Sequence, residues 1–473
     1  MVDMLISTDP STGAEVWRGA MASVADCDDA MRTARNAFAQ WASWEPAERI
    51  AVAHQFAATV TARRGELAAI ISAEVGKPPW EAAAEADLVA AKVAISVDAL
   101  ETRRSTFRAG PAVTRFRPHG VCVVLGPYNY PAHLPNGHIV PAVIAGNCVV
   151  FKPSEHAPAV GAFMLRAWRD AGLPDGVLQV VQGDRRVAER LLDHPEVDGV
   201  FLTGSAQAGL AIHARFAGRP QVILALELGG NNPLVVHDVA DPVAAAYLTT
   251  LSAYLTAGQR CTCARRLIVP HGADGDRFVE ELVAMIGRIR VGAPSTVPEP
   301  FMGPVVSADA AVQILAAQAQ LCADGARTII ESTQLEPDTG LLTPGLIDVT
   351  DVPVRRDEEI FGPLLQLIRT SDIDAAVDEA TRTAFGLAAG LVSDNEALYR
   401  RFATQVRAGV VNWNQELVGA SSKAPFGGIG LSGNHRPSAF FAADYCSFPV
   451  ASIERPLATL PDNPRADLLP HPL

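Results

Sequence analysis

The stretch HGVCVVLGPYNYPAHLPNGHIVPAVIAGNCVVFKPSE, residues 119–155, decides the reading of the fold. Val121–Leu125 and Cys148–Phe151 are unbroken apolar runs, and Ala132–Ile144 between them is long enough for a helix. A strand buried on both faces reads as a continuous apolar segment. A helix between two such strands makes a parallel βαβ crossover. The pattern continues downstream, with strands expected at Val177–Val181, Val197–Leu202 and Val222–Leu226. Helices are expected between them at Glu155–Ala171, Arg185–Leu192 and Ala206–Phe216. The fold class is therefore α/β, a parallel sheet with helices on both faces.

Outward from this unit, a second alternating series begins after LELGGNNP, residues 226–233. Its expected strands are Pro233–Val236, Leu267–Val269, Leu364–Ile368, Leu387–Val392 and Gly409–Asn412. Its expected helices are Pro242–Leu255, Asp276–Ile289, Ala310–Leu321 and Ile373–Ala380. Toward the start, Asp26–Trp44, Pro46–Ser72 and Pro78–Thr102 carry Ala, Leu and Glu at helical spacing. Ala112–Arg117 alternates like an exposed strand, and Phe448–Ile453 is also strand-like.

A chain of 473 residues exceeds what one hydrophobic core supports, so two or three domains are expected. The net charge of −13 argues against a nucleic-acid or acidic-membrane partner, while leaving room for a local anion site. No apolar run approaches the ~20 residues of a membrane span, and the opening has no signal-peptide pattern. Seven cysteines form neither a disulfide framework nor a metal signature, so no metal is expected and a reducing cytoplasm is the natural compartment.

Chemistry gathers at loops following expected strands. Cys261, in AGQRCTCARR, is nucleophilic once deprotonated, though a lone cysteine also serves as a small core residue. Glu227 sits in the apolar run VILALELGG, where burial raises a carboxyl group toward general-base range; a structural hydrogen-bonded carboxylate reads the same way. Asn129, in GPYNYP, offers an amide to a negative oxygen or to its own turn. VVFKPSE delivers Lys152 and Glu155 for phosphate or ribose oxygens, with Ser154 as a helix cap. LTGSAQAG runs Gly204, Ser205 and Gly209 into a helix whose N-terminus suits a phosphate, without the dinucleotide fingerprint spacing.

Read jointly, GPYNYP, VVFKPSE, LTGSAQAG, LELGGNNP, GQRCTC, EEIFGP and PFGGIGLSG stand in an order that resembles the aldehyde dehydrogenase superfamily over nearly the whole chain. The resemblance implies two parallel-sheet domains plus a small β oligomerisation element. Residues 1–105 and 120–230 would bind NAD, and 231–432 would form the catalytic domain. Residues 106–119 and 433–473 would form the oligomerisation element and C-terminal tail. It implies Cys261 as nucleophile, Glu227 as general base and Asn129 with the Cys261 N–H as oxyanion hole. Lys152, Ser154, Glu155, Gly204, Ser205, Gly209, Glu359 and Phe361 match the cofactor side, and Cys263 reads as structural. Glu155 beside the adenosine ribose would repel a 2′-phosphate, favouring NAD over NADP. The presence of Glu227 favours a free acid over a coenzyme A thioester as product.

The segments SGNHRPSAFFAADYCSFPVAS, GPYNYPAHLPNGHIVPA and YLTAGQRCTCARRL are similar to the semialdehyde dehydrogenases of the arginine succinyltransferase route. That implies N-succinylglutamate 5-semialdehyde as substrate and a homodimer or larger homo-oligomer. Glutamate or succinate semialdehyde is the alternative, and a noncatalytic protein on this fold would not need Cys261 or Glu227. Arg260, His435 and Arg436 are candidates for a basic substrate pocket, with Arg260 equally suited to a salt bridge framing the cysteine loop. DPSTG at Asp9 implies that a strand-bearing N-terminal extension is almost absent.

Overall fold

A computed structural model describes residues 3–469. Residues 1–2 and 470–473, the outermost parts of the expected 1–105 and 433–473 segments, lie outside the described residues. The chain opens with an antiparallel pair, β1 (Met4–Thr8) and β2 (Glu15–Ala20). This corrects the expectation that strand structure would be nearly missing there: the Asp9–Gly13 turn, with Gly13 at φ 72°, folds a hairpin in place.

Four helices follow: α1 (Val24–Ser43), α2 (Pro46–Ala62), α3 (Arg64–Val75) and α4 (Pro79–Arg104). Ser23 starts α1 through a capping box, its Oγ accepting from Asp26 N while the Asp26 carboxylate accepts from Ser23 N. The single helix expected over Pro46–Ser72 is two, broken where Arg63 leaves helical geometry at ψ 22°. Both pieces keep an apolar face on the core through Phe56, Val60, Leu67 and Ile71.

After β3 (Phe107–Ala109) and β4 (Ala112–Pro118) comes the α/β unit: β5 (Val121–Leu125), α5 (His133–Ala145), β6 (Cys148–Lys152), α6 (Pro158–Asp170), β7 (Leu178–Val180), α7 (Arg185–Asp193), β8 (Gly199–Thr203), α8 (Ala206–Arg215) and β9 (Ile223–Glu227). All pairings are parallel, in the order β7-β6-β5-β8-β9. Every residue of β5, β6 and β8 is buried, as their unbroken apolar runs require. Each fully buried Val or Leu side chain there is worth about 1.5–3 kcal/mol. The chain winds one way from β5 to β7, then returns to place β8 on the other side of β5. Open parallel sheets bind ligands at the carboxyl ends of strands flanking such a reversal.

The second sheet runs β12-β13-β14-β11-β10-β15-β16. Its strands are β10 (Asn232–Val236), β11 (Ala264–Pro270), β12 (Arg327–Ile330), β13 (Gly345–Asp348), β14 (Leu364–Thr370), β15 (Ala388–Val392) and β16 (Val410–Trp413). It is parallel except for β12, which pairs antiparallel with β13. Its helices include α9 (Pro242–Tyr254), α10 (Ala273–Ile286), α11 (Ala308–Ala323), α12 (Ile373–Thr381) and α13 (Glu396–Gln405). The sequence pattern missed β12, β13 and α13. The strands have four residues each, and α13 is a ten-residue helix with only Phe402 fully buried and Leu398 and Tyr399 half-buried beside it.

A two-stranded pair, β17 (Pro425–Phe426) and β18 (Ser438–Ala439), precedes α14 (Ala442–Tyr445) and β19 (Ser447–Ile453). β19 pairs with β4, and β4 with β3, in a separate three-stranded antiparallel sheet. Ala442, Tyr445 and Cys446 belong to the core of the first sheet, tying this late segment back to it. Among the described residues, no helix is long and apolar enough to cross a membrane.

Candidate active site

Four carboxyl ends of the first sheet supply the site. GPYNYP follows β5, Lys152 ends β6, Gly204 and Ser205 follow β8, and Glu227 ends β9. The second sheet supplies the cysteine loop at the amino end of β11. Before it, α9 stops at Tyr254, and Thr256, Ala257 and Gly258 take left-handed φ values of 57°, 52° and 68°. Two non-glycine residues in that region store strain that the surroundings must hold.

Arg265 holds much of it. This fully buried guanidinium donates to Gly258 O at 2.6 Å, Arg260 O at 2.9 Å and Gly362 O at 3.3 Å, and meets Glu359 Oε1 at 3.5 Å. Asn232 holds the loop from β10, its Nδ2 donating to Cys261 O at 2.7 Å and Cys263 O at 2.9 Å. Thr256 Oγ1 bonds Glu81 of α4, which also receives Arg260 Nη2 at 2.8 Å. Neither Arg265 nor Asn232 was marked by the sequence. An arginine inside a strand signals unusual burial only once the strand is known to be central.

Cys261 is half-buried, and Cys263 is buried against Leu255 O at 3.8 Å, a structural setting. Two cavities meet at Asn129, Thr203 and Cys261. Burial pushes the Cys261 thiol up to about 12, with negative charge at Glu359 and Glu227 adding and Arg265 opposing. Asn129 is anchored by an Nδ2 bond to Gln259 O at 2.8 Å, which leaves its second amide hydrogen uncommitted.

One cavity lies on the first-sheet side, walled by Tyr128, Gly204, Ser205, Gly229, Glu359 and Phe361. Ser205 caps α8 by accepting from Ala208 N at 3.2 Å. Glu359 sits over the Gly229–Gly230 turn; a Cβ at Gly229 would fall 1.7 Å from its Oε2. Burial raises the Glu359 carboxyl, against Arg265 and the Gly230 N–H. Phe361 stands edge-on to Tyr128 at 6.1 Å between ring centroids.

Two expected cofactor residues sit differently from their sequence reading, and a third is tied into the fold. Ser154 does not cap α6: the helix starts at Pro158, the N–H groups of Ala159 and Val160 donate to the Glu74 carboxylate at 2.8 and 2.9 Å, and Ser154 Oγ instead accepts from His156 N at 3.2 Å. Gly209 does not line this cavity; it lies within α8, where a Cβ would come within 2.4 Å of Leu228, so its smallness serves packing. Lys152 is buried with Nζ on Pro153 O and Gly183 O, both at 2.6 Å, and 3.5 Å from Glu155 Oε2.

The other cavity opens beyond Cys261, toward α4, α5 and the 418–422 and 438–439 segments. Glu227 lines it, buried, with Oε1 accepting from Ser438 N at 3.0 Å and Oε2 without a partner. Burial raises its carboxyl well above the ordinary range. Arg260 reaches this cavity but is paired with Glu81 and lies over the Tyr130 ring, 5.2 Å from its centroid. His435 and Arg436 do not line it: both are exposed, His435 at φ 61° in a turn after Gly433. Of the three cations expected there Arg260 is present, and it is joined by Lys92, from an Ala-rich helix that gave no sequence signal.

A buried carboxyl, a cysteine and an anchored amide between two cavities define a site for covalent acyl chemistry. The aldehyde dehydrogenase family profile matches residues 3–447, and the chain belongs to that family. It is 54% identical over 459 residues to N-succinylglutamate 5-semialdehyde dehydrogenase of Paraburkholderia xenovorans, covering 96% of this chain and 94% of that protein. N-succinylglutamate 5-semialdehyde dehydrogenase 1 of Caulobacter vibrioides is 57% identical over 457 residues, covering 96% of each. Among solved structures, a mutant aldehyde dehydrogenase C of Pseudomonas syringae with NAD+ and octanal has a TM-score of 0.91 at 30% identity, covering 97% and 95% of the two chains. The NADP-dependent glyceraldehyde-3-phosphate dehydrogenase of Bacillus halodurans, complexed with NADP, has a TM-score of 0.88 at 26% identity, covering 95% of each.

Proposed function

We propose that the protein oxidises N-succinyl-L-glutamate 5-semialdehyde to N-succinyl-L-glutamate, with NAD as acceptor and Cys261 as the covalent centre. The observation that carries this reading is the seat of Cys261 and Asn129 where two cavities meet. One cavity has the aromatic wall, helix N-terminus and buried carboxylate that suit a dinucleotide; the other has Glu227. The near full-length likeness to dehydrogenases of that semialdehyde directs the substrate choice.

Phe361 and Glu359 fit a nicotinamide ribose, the carboxylate accepting from its hydroxyls, while the Ser205-capped end of α8 fits the pyrophosphate. Lys152 and Glu155 stand at the end of β6 for the adenosine ribose. NAD, when bound, supplies the hydride acceptor. The chain does the rest. Water in the cavity takes the Cys261 thiol proton out to solvent, and the resulting thiolate attacks the aldehyde carbon. The oxygen takes negative charge, met by the free Asn129 amide hydrogen and the Cys261 N–H. Loss of hydride leaves a thioester on Cys261. Glu227 takes a proton from water, which attacks that carbonyl and releases the acid and the thiol.

The same proposal places the enzyme in the cytoplasm, in arginine catabolism, as a homo-oligomer. The β3–β4–β19 sheet supports the last part, with edge strands at both sides and Phe107, Phe448 and Ile453 exposed. Sedimentation should give at least a dimer; a monomer at micromolar concentration would remove that part. The substrate is tested by NADH production with N-succinylglutamate 5-semialdehyde beside glutamate and succinate semialdehydes. Preference for the succinylated aldehyde is expected. Faster turnover of either smaller semialdehyde would keep the mechanism and discard the substrate.

A further inference from the structure

Two lysines of the substrate-side region are equally buried and differently provided for. Lys77 and Lys92 are each 2% exposed. Lys77 has its partner at hand: Glu85 Oε2 lies 2.6 Å from its Nζ, and the Tyr130 ring centroid 3.3 Å away. Lys92 makes no hydrogen bond and no ion pair with the described residues, yet it lines the cavity that Cys261 and Glu227 share. A buried ammonium without an acceptor is costly, and a purely structural lysine would come with one, as Lys77 does.

Of the two basic side chains that line the cavity, Arg260 and Lys92, Lys92 has no ion-pair partner among the described residues. Arg260 is neutralised by Glu81 at 2.8 Å. From α5, His133 and His138 line the same cavity, and burial together with the Lys92 charge pushes each down to about 3, so both are uncharged at neutral pH. His138 is held between Tyr445 Oη at 2.7 Å and Thr203 Oγ1 at 3.1 Å. The other titratable group whose field reaches Lys92 is Cys446, a buried thiol that burial holds in its neutral form. Burial lowers the Lys92 ammonium only to about 8, which leaves it charged at neutral pH.

The cavity also admits its reach. A Cβ at Gly137 would stand in ordinary van der Waals contact with Lys92 Cε, at 3.7 Å, which sets α5 beside the end of the lysine side chain. The segment at 421–422 contributes two serine hydroxyls to the same cavity, with Ser421 Oγ accepting from Lys423 N at 3.2 Å and its O–H left to donate.

We propose that Lys92 is the docking cation for a substrate carboxylate remote from the aldehyde, and that it gives the site its preference for acidic aldehydes. This rests on the acidic-semialdehyde reading above. Bound substrate supplies the acceptor that the fold withholds from Lys92, and its charge balance then matches that of Lys77 and Glu85.

The test compares wild type, Lys92→Met and Lys92→Arg, with N-succinylglutamate 5-semialdehyde and hexanal as acidic and uncharged probes. The readout is the ratio of kcat/KM for the two aldehydes. Lys92→Met should lower that ratio on the order of 10²-fold, mainly through KM for the acidic aldehyde, and Lys92→Arg should recover part of it. Thermal unfolding should show Lys92→Met no less stable than wild type, because no protein group loses a partner. An unchanged ratio, an equal loss on both aldehydes, or a large drop in melting temperature would each overturn the inference. A wild type without preference for the acidic aldehyde would instead overturn the functional reading itself, before any variant is compared.

Discussion

The two cavities that meet at Cys261 are built on opposite principles. On the cofactor side Lys152 donates to two carbonyls, Ser205 caps α8, and Glu359 has Arg265 and the Gly230 N–H within the fold. On the substrate side Glu227 Oε2 and His133 Nδ1 lack partners, and Lys92 has none among the described residues. The first is a preformed cradle whose geometry survives without its ligand. The second stores unsatisfied polarity, which only substrate and water can relieve.

The comparison breaks most sharply at the residue both cavities share. Cys261→Ser should lower turnover at least about 10³-fold while leaving NAD binding, followed by quenching of protein fluorescence, close to wild type. Turnover near wild type would remove Cys261 from the mechanism, and lost NAD binding would show that the cradle is not preformed.

On the cofactor side, Arg265→Met would leave Glu359 buried without its countercharge and free three carbonyls around the strained 256–258 turn. A loss of about 3 kcal/mol in unfolding free energy is expected, measured by urea denaturation. A change within experimental scatter would mean that the strain is held elsewhere.

On the substrate side, Glu227→Gln should cut the steady-state rate roughly 10²-fold while keeping the first-turnover NADH burst. Burial raises the Glu227 carboxyl, so the wild-type deacylation rate should fall as pH drops through that raised value and the base takes up its proton. Stability moves oppositely. The folded state keeps that proton to higher pH than the unfolded chain, so the stability from burying the neutral acid is full below the ordinary 4.5 and fades as pH rises toward the raised value. Glu227→Gln should therefore melt no lower than wild type at pH 8. A lower melting point would make Glu227 a structural carboxylate.

The smallest expected effect is at the cradle's rim. Glu155→Gln should raise the NADP-to-NAD ratio of kcat/KM on the order of tenfold by removing repulsion of a 2′-phosphate. An unaltered ratio would place cofactor choice in other residues.

The same contrast explains what was legible in the sequence. The cradle is made of loops at strand ends, so residues such as Gly204, Ser205 and Glu359 fall into short contiguous motifs beside recognisable apolar strands. Gly209 and Ser154 looked like part of those motifs but act through packing and a local turn. The substrate cavity is assembled from α4, α5 and segments near 420 and 438, with more than 300 residues between α4 and the last two. Lys92 sits in an alanine-rich helix whose buried side is set by tertiary packing, which periodicity cannot signal. His435 and Arg436 were near the site in sequence, but the left-handed turn at His435 leaves them exposed. The N-terminal hairpin was missed because burial there runs against polarity, with Met4 and Ile6 exposed and Ser7 buried.

The most direct measurement is peptide-resolved mass spectrometry of Glu227→Gln, quenched during the NADH burst with N-succinylglutamate 5-semialdehyde. The account predicts one NADH per site and an N-succinylglutamyl thioester on the peptide carrying Cys261. A full burst with Cys261 unmodified, or with the acyl group on another residue, would contradict it.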